Sequence, residues 1–151
     1  TFGSQTFDDW RLPTTVDGPW VYGYDGSTTA GFNITSSEMG HLYYTELGNL
    51  GHLNTSGAVQ PGWGLPSTSP FEHLQSVAYW SGTEYSLDTD TAWYFNAYEG
   101  PQYSDGKDLL YLYALAVRPG DVAAVPEPGT LMLLGSGMAG LIAVRRRFAR
   151  R

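Results

Sequence analysis

The pattern of hydrophobic and polar positions differs between regions of this chain, and each region predicts a different kind of structure. Before residue 33, turn sequences such as Asp17-Gly18-Pro19 and Tyr24-Asp25-Gly26 separate the apolar positions, which predicts short strands joined by loops. After residue 70, longer apolar runs predict strands. Residues 131–151 combine an apolar stretch with terminal arginines. We therefore expect a folded domain followed by a separate tail.

One segment has helical spacing. The run Thr35-Ser36-Ser37-Glu38 matches a capping box, in which the Thr35 hydroxyl and the Glu38 carboxylate would satisfy opposite backbone amides. Apolar side chains then recur every three or four residues, at Met39, Leu42, Tyr43 and Leu47. We expect a helix that begins at Thr35, ends at Gly48 or Gly51 and packs on a sheet.

Three later runs predict strands, at residues 77–80, 91–98 and 109–118. The last run is apolar at both alternating sets of positions, so we expect it to be the central strand with both faces covered. Residues 54–70, rich in glycine and proline, predict a surface loop. The predicted fold class is α+β: a compact, β-rich, loop-rich domain over residues 1–120 with one packed helix, a linker at 121–125 and a single C-terminal transmembrane helix.

Composition narrows the chemistry of the domain. The chain has no cysteine, which excludes disulfides, thiolate nucleophiles and cysteine-based zinc sites. Its 22 aromatic residues suit a core of large rings, with Trp10, Trp80 and Trp93 as the expected anchors. Residues 1–124 carry fourteen carboxylates and three cations, a net charge of −11. Because binding to nucleic acid needs clustered cations, we expect no nucleic-acid partner.

Candidate catalytic groups are scattered. The histidines His41, His52 and His73 lack His-Glu-x-x-His spacing, and no Gly-x-Ser-x-Gly turn occurs. We therefore expect no enzyme activity, no catalytic residue and no cofactor. Acidic residues near Trp93 could offer oxygen ligands to calcium, but Lys107 would oppose the cation, so solvated acidic loops are the favoured interpretation. These residues are Asp88, Asp90, Glu99, Asp105 and Asp108.

The tail combines three elements with distinct physical roles. The prolines of Pro126-Glu127-Pro128 favour an extended segment. The sixteen residues from Gly129 to Val144 would span about 24 Å as a helix, which is short against a hydrocarbon core of roughly 30 Å. Cytoplasmic stop-transfer charges follow at Arg145, Arg146, Arg147, Arg150 and Arg151. This order predicts a transient membrane anchor at 130–144, a cytoplasmic basic tail at 145–151 and an acidic domain outside the cytoplasm.

These elements resemble the PEP-CTERM sorting signal of exopolysaccharide-associated Gram-negative bacteria, here over residues 126–151. The motif residues are Val125, Pro126, Glu127, Pro128, Gly129 and Thr130. The resemblance implies that exosortase, a membrane-embedded cysteine protease or transpeptidase, takes this chain as a substrate and processes it near the prolines. A plain single-pass tail anchor is the alternative. Because the topology requires export, we expect an export signal upstream of Thr1 and a chain that is truncated at its N-terminus.

The outer domain carries four ordered motifs. They are Asp9-Trp10-Arg11-Leu12-Pro13-Thr14, Tyr79-Trp80-Ser81-Gly82-Thr83-Glu84-Tyr85, Ala92-Trp93-Tyr94-Phe95 and Ala116-Val117-Arg118-Pro119-Gly120. Over residues 8–120 they resemble the Lcl C-terminal-like domain family, whose function is unknown. The resemblance implies a compact α+β or β-rich domain related to lectin-like and formylglycine-generating-like folds. The family's usual N-terminal stretch is missing, and the helix follows the Leu-Pro-Thr motif later than in the family.

These motif residues have a structural and a binding interpretation. Structurally, Arg11 or Arg118 would pair with Glu84 or a neighbouring Asp. Alternatively, an Arg and Trp pair would meet a sugar or an acidic polymer, and rings such as Trp63, Tyr98 and Tyr103 would stack on a sugar or simply pack. We favour the structural interpretation for the signature residues. They are Trp10, Arg11, Leu12, Pro13, Thr14, Trp80, Ser81, Thr83, Glu84, Tyr85, Trp93 and Arg118.

The sequence as a whole predicts an exported protein that is held briefly in the bacterial inner membrane and then reaches the cell surface or the extracellular matrix. Its predicted partners are exosortase, as the processing enzyme, and the membrane. The outer domain is expected to have a non-catalytic interaction role. A carbohydrate-binding, lectin-like module with an exopolysaccharide or another glycan as its ligand is the alternative.

Overall fold

The computed structural model describes residues 8–108 and 111–119, and a five-stranded sheet lies at its centre. The strands are β1 (Tyr22–Gly23), β2 (Ala30–Gly31), β3 (Ala78–Glu84), β4 (Thr91–Asn96) and β5 (Gln102–Gly106). Their order across the sheet is β1-β2-β5-β4-β3, with β1 and β2 parallel and the other neighbours antiparallel. The short early strands and the strands predicted near 77–80 and 91–98 are confirmed.

Tight turns join β3, β4 and β5 into a meander. Before β4, the amide of Thr91 donates to the carbonyl of Asp88 at 3.0 Å. After β4, the amide of Gly100 donates to the carbonyl of Asn96 at 2.7 Å, and Gly100 has a φ of +96°, a conformation that glycine adopts readily. Alternation along β4 directs Trp93 to the same face as the helix and its neighbours to the opposite face.

The predicted helix is present as α1 (Glu38–Gly40), which continues as a π-helical turn (His41–Glu46). The wider turn is seen in the bond from the Leu47 amide to the carbonyl of Leu42, five residues earlier, at 2.9 Å. Gly48 follows with a φ of +66°, so the predicted glycine stop is confirmed there.

The predicted capping box at Thr35 is wrong. The N-cap is Ser37, whose hydroxyl accepts a hydrogen bond from the amide of Gly40 at 3.1 Å. The Glu38 carboxylate binds the guanidinium of Arg11 instead of returning to the backbone of Thr35. A two-pronged bond to a guanidinium is stronger than the single amide hydrogen bond of a capping box, so the distant Arg11 determines where this carboxylate points.

The helix packs its apolar stripe on one face of the sheet. The buried core cluster contains Met39, Tyr43, Tyr79, Phe95 and Ala97. Leu47 is also buried and Leu42 is half-buried, so the predicted stripe is confirmed. Burying one large apolar side chain contributes about 1.5–3 kcal/mol, so this cluster makes a substantial contribution to the stability of the described domain. The compact, β-rich fold with one short helix is confirmed.

The described part of the predicted strand at 109–118, residues 111–118, is not the central strand of the sheet. In the described part, 111–118, two isolated bridges occur: Tyr113 pairs with Tyr79, and Val117 pairs with Arg11. The ring of Tyr111 is fully exposed, and the central position of the sheet belongs to β5. The segment is a strap that borders β3 and the helix. Leu112, Leu115 and Val117 are half-buried, whereas the other apolar side chains of residues 111–117 are exposed.

The remaining predictions concern the loop and the tail. Residues 54–70 contain neither a helix nor a strand, which confirms the predicted surface loop. Within residues 8–108 and 111–119, no helix is long and apolar enough to cross a membrane. The predicted linker at 121–125, the sorting motif and the transmembrane helix at 130–144 lie outside the described residues.

Candidate functional site

The N-terminal signature centres on an ion pair between Arg11 and Glu38. Nη1 of Arg11 donates to Oε2 of Glu38 at 2.6 Å and Nη2 donates to Oε1 at 2.8 Å, a two-pronged geometry. The amide of Thr14 donates to the same carboxylate at 2.6 Å. The Arg11 hydrogen bond, assisted by Thr14 and opposed by partial burial, lowers the pKa of Glu38 to about 2. The contact holds the signature segment against the start of α1.

The segment then follows β3. The carbonyl of Pro13 accepts hydrogen bonds from the Gly82 amide at 2.8 Å and from the Ser81 hydroxyl at 2.9 Å. The amide of Thr15 donates to the Thr83 hydroxyl at 3.0 Å. The structure thus brings together the signature motifs around residues 10–14 and 80–85, and their polar groups bind one another.

Trp93 is fully buried, as expected of a core anchor. Its indole nitrogen donates to Oδ1 of Asp17 at 2.9 Å, and the amide of Ser86 donates to the same oxygen at 3.3 Å. The hydrogen bonds from Ser86 and then Trp93 lower the pKa of Asp17 to about 2. The ring of Tyr85 meets the indole edge-on, with ring centroids 5.5 Å apart.

Trp10 and Arg118 lie together near the surface. Trp10 is 55% exposed, so its predicted role as a core anchor is wrong. Its ring centroid lies 6.0 Å from the guanidinium carbon of Arg118, a cation–π arrangement that suits a half-open site. Nη1 of Arg118 lies 3.7 Å from Oδ1 of Asp9, so pairing with a neighbouring Asp is found. The predicted pairing with Glu84 is wrong, because Glu84 binds Lys107 instead.

A cleft of about 530 Å³ lies between the helix and residues 115–118. Its apolar lining includes Met39, Leu42 and Leu115. The ionisable groups at its rim engage one another or their neighbours: Nε2 of His41, for example, lies 3.0 Å from Oε1 of Glu46. Within residues 8–108 and 111–119, no group of three or more histidine, aspartate or glutamate side chains could hold a metal ion.

The rings considered for sugar stacking do not form one platform. Trp63 meets Tyr98 edge-on with centroids 5.3 Å apart, and the ring of His52 lies 4.7 Å from Trp63. Tyr103 lies on β5 and contacts Tyr94 and Tyr22 instead. The platform proposed from sequence is therefore split between two places.

A larger aromatic surface was missed from sequence. On the sheet face opposite the helix, rings on four strands form a row with centroids about 6 Å apart. We call this surface the aromatic sheet face and define it as Trp20, Tyr22, Tyr24, Trp80, Tyr94 and Tyr103. The rings at 20, 22 and 24 occupy alternate positions, the strand signal that could have indicated it, but the surrounding turn residues masked that pattern.

Similarity to known families identifies the tail. Residues 124–147 match the PEP-CTERM protein-sorting motif. The chain carries a PEP-CTERM motif. The matched range includes the predicted motif residues 125–130 and the arginines at 145–147. This motif indicates an exported protein that is anchored transiently in the membrane and sorted by exosortase. No curated protein and no solved structure matches the chain, and the Lcl C-terminal-like resemblance stays a prediction.

Proposed function

We propose that this chain is an exported surface or matrix protein whose PEP-CTERM tail is cut by exosortase and whose folded domain has a non-catalytic interaction role. The match of residues 124–147 to the sorting motif carries the proposal. The apolar run at 130–144 would anchor the chain transiently in the membrane, and the terminal arginines would keep its C-terminal end on the cytoplasmic side.

Processing would occur next to Pro126-Glu127-Pro128. Prolines favour an extended backbone, which is the form that a protease groove binds. In the described domain the last backbone bond of the strap joins Val117 to Arg11, seven positions before the matched motif begins. Cleavage at the motif would therefore leave every described contact of the domain intact.

A motif variant tests this proposal. In a host that has exosortase, we expect replacement of Pro126, Glu127 and Pro128 by alanine to leave the chain uncut and in the membrane fraction. Pro119→Ala, a proline change outside the matched range, is the control and should be processed normally. Normal cleavage of the triple variant would overturn the proposal, and immunoblots of membrane and medium fractions would show which occurs.

A non-catalytic role for the domain is supported by the positions of its histidines. His41 contacts Glu46 on the helix, His52 contacts Trp63, and His73 lines a separate cleft near Phe71. An Lcl C-terminal-like identity for residues 8–120 is part of the proposal, and the contact between its first two signature motifs supports it.

Carbohydrate binding is the second candidate function. The observation that favours it is the aromatic sheet face, where tyrosine and tryptophan rings gather on one side of the sheet. Such rings combine a large apolar surface with a polar group at the edge. A sugar ring has the same combination, because its C–H groups form apolar faces and its hydroxyls lie at the rim. An exopolysaccharide is the corresponding proposed ligand.

A further inference from the structure

The aromatic sheet face is continuous across the sheet. Trp80 on β3 and Tyr94 on β4 are directly paired, and Tyr94 is paired with Tyr103 on β5. The ring of Tyr103 stacks with that of Tyr22 on β1, with centroids 6.2 Å apart and planes 8° apart. These two rings meet across β2 because that strand carries only the small residues Ala30 and Gly31.

The outer end of this row is the most open part. Trp20 is 47% exposed, and its ring stacks on Tyr22 with centroids 5.9 Å apart. Tyr22 and Tyr24 are also exposed, although large aromatic side chains usually bury most of their surface. These three open rings, at alternate positions in and beside the edge strand β1, form a narrow apolar strip.

The charges near the strip determine which ligand it fits. Asp105 lies on β5 two residues after Tyr103, so its side chain is on the same face of the sheet as the row. Burial, followed by the charge of Asp105, raises the pKa of Tyr94, and burial with a smaller contribution from Glu99 raises the pKa of Tyr103.

Each of the three described lysine and arginine residues has a carboxylate partner: Arg11 pairs with Glu38, Arg118 lies 3.7 Å from Asp9, and Lys107 binds Glu84 at the end of β3. An anionic polymer would therefore meet repulsion at this face, whereas an uncharged one would not. Aromatic faces are electron-rich and attract the C–H groups of a pyranose ring.

We infer that the aromatic sheet face binds a neutral, extended polysaccharide, with Trp20 as the open stacking ring at the end of the row. The inference deepens the carbohydrate-binding candidate above and rests on it. The tyrosine hydroxyls and the Trp20 indole nitrogen provide hydrogen-bond donors along the strip. A row of rings at nearly regular spacing fits successive sugars of one chain better than a single monosaccharide.

The test is affinity electrophoresis of the purified full chain in a zwitterionic detergent, because a maltoside detergent would compete for a sugar site. The gels contain hydroxyethyl cellulose, barley β-glucan or galactomannan as neutral probes, and alginate as the anionic probe. We expect retardation by at least one neutral probe and none by alginate. Trp20→Ala should weaken binding about tenfold, the loss typical of one aromatic anchor, and Trp20→Phe should retain most of it.

Trp10→Ala is the matched control, because Trp10 is a similarly exposed tryptophan outside the aromatic sheet face. It should bind like the unchanged chain, and near-UV circular dichroism would show that both variants are folded. Three results would overturn the inference: no retardation by any neutral probe, retardation by alginate as strong as that by the neutral probes, or an equal loss of binding in Trp10→Ala and Trp20→Ala. Because this assay uses no exosortase, its failure would leave the sorting proposal standing, and failed processing would leave this site standing.

Discussion

At the scale of single residues, the contact between Arg11 and Glu38 makes a defined contribution to acid stability. The folded-state pKa of Glu38, about 2, lies below its ordinary value of 4.5. A carboxylate with a lowered pKa stabilises the folded state fully above its ordinary pKa, and this contribution is lost as the pH falls from about 4.5 towards 2. Both side chains are partly exposed, so solvent screening keeps the contribution modest.

We predict that Glu38→Gln lowers the free energy of unfolding by about 1 kcal/mol at pH 7. The difference from the unchanged chain should shrink as the pH falls from 4.5 to 2, because the native carboxylate becomes protonated there. Urea unfolding followed by tryptophan fluorescence measures both effects. Glu46→Gln, which alters an exposed carboxylate that contacts His41, is the control. If the stability difference between Glu38→Gln and the unchanged chain stayed constant down to pH 2, the account would be contradicted.

Single residues also show what could be predicted from sequence. Trp93 was correctly expected in the core, because it lies within a strongly aromatic strand. Trp10 was expected there on the same compositional grounds, yet it lies at the surface beside Arg118. The ion-pair partner of Arg11 was also missed, because Glu38 is 27 residues away and the local sequence suggested a capping role for it. Partners distant in sequence are not encoded in local patterns.

At the scale of elements, Gly40 controls how closely the helix approaches the preceding loop. A Cβ atom at this position would lie 1.9 Å from the carbonyl oxygen of Ile34, which is far inside contact distance. Gly48, after the helix, has open space around it but a φ of +66°, so a side chain there is disfavoured by backbone conformation alone.

We therefore predict that Gly40→Ala destabilises the fold by at least about 2 kcal/mol, since the helix must shift away from Ile34. Gly48→Ala should cost about 1 kcal/mol, the strain of a left-handed alanine. Thermal unfolding of both variants under the same conditions compares the two effects. If Gly48→Ala lost as much stability as Gly40→Ala or more, the prediction would be wrong. Backbone conformation after the helix, and not close packing at Gly40, would then be the stronger constraint on stability.

Some secondary-structure elements were predicted correctly and others were not. The correct ones depend on interactions between residues close in sequence, and the others depend on partners far away in sequence. The helical stripe and the strands near 78 and 91 follow local periodicity, and they were found. The run at 109–118 has a strand-like composition, but its described part, 111–118, makes only isolated bridges, to Tyr79 and to Arg11. The aromatic sheet face was missed for the same reason, because it joins rings from strands far apart in sequence.

At the scale of the whole molecule, charge is divided between the two parts of the chain. Residues 1–124 have a net charge of −11, whereas residues 125–151 have a net charge of +4. Cationic residues next to an apolar run favour the cytoplasmic side of a bacterial membrane. The tail was predictable from sequence because prolines, apolar run and arginines are consecutive, whereas the ligand of the domain depends on a folded surface.

The central claim is that exosortase removes the tail. Intact mass spectrometry of the protein isolated from a native host, with and without a functional exosortase gene, tests it most directly. We predict loss of the segment that follows residues 126–129 only when exosortase is functional, and retention of the complete tail in its absence. An identical mass in both strains, with the tail present or with it removed, would contradict the account.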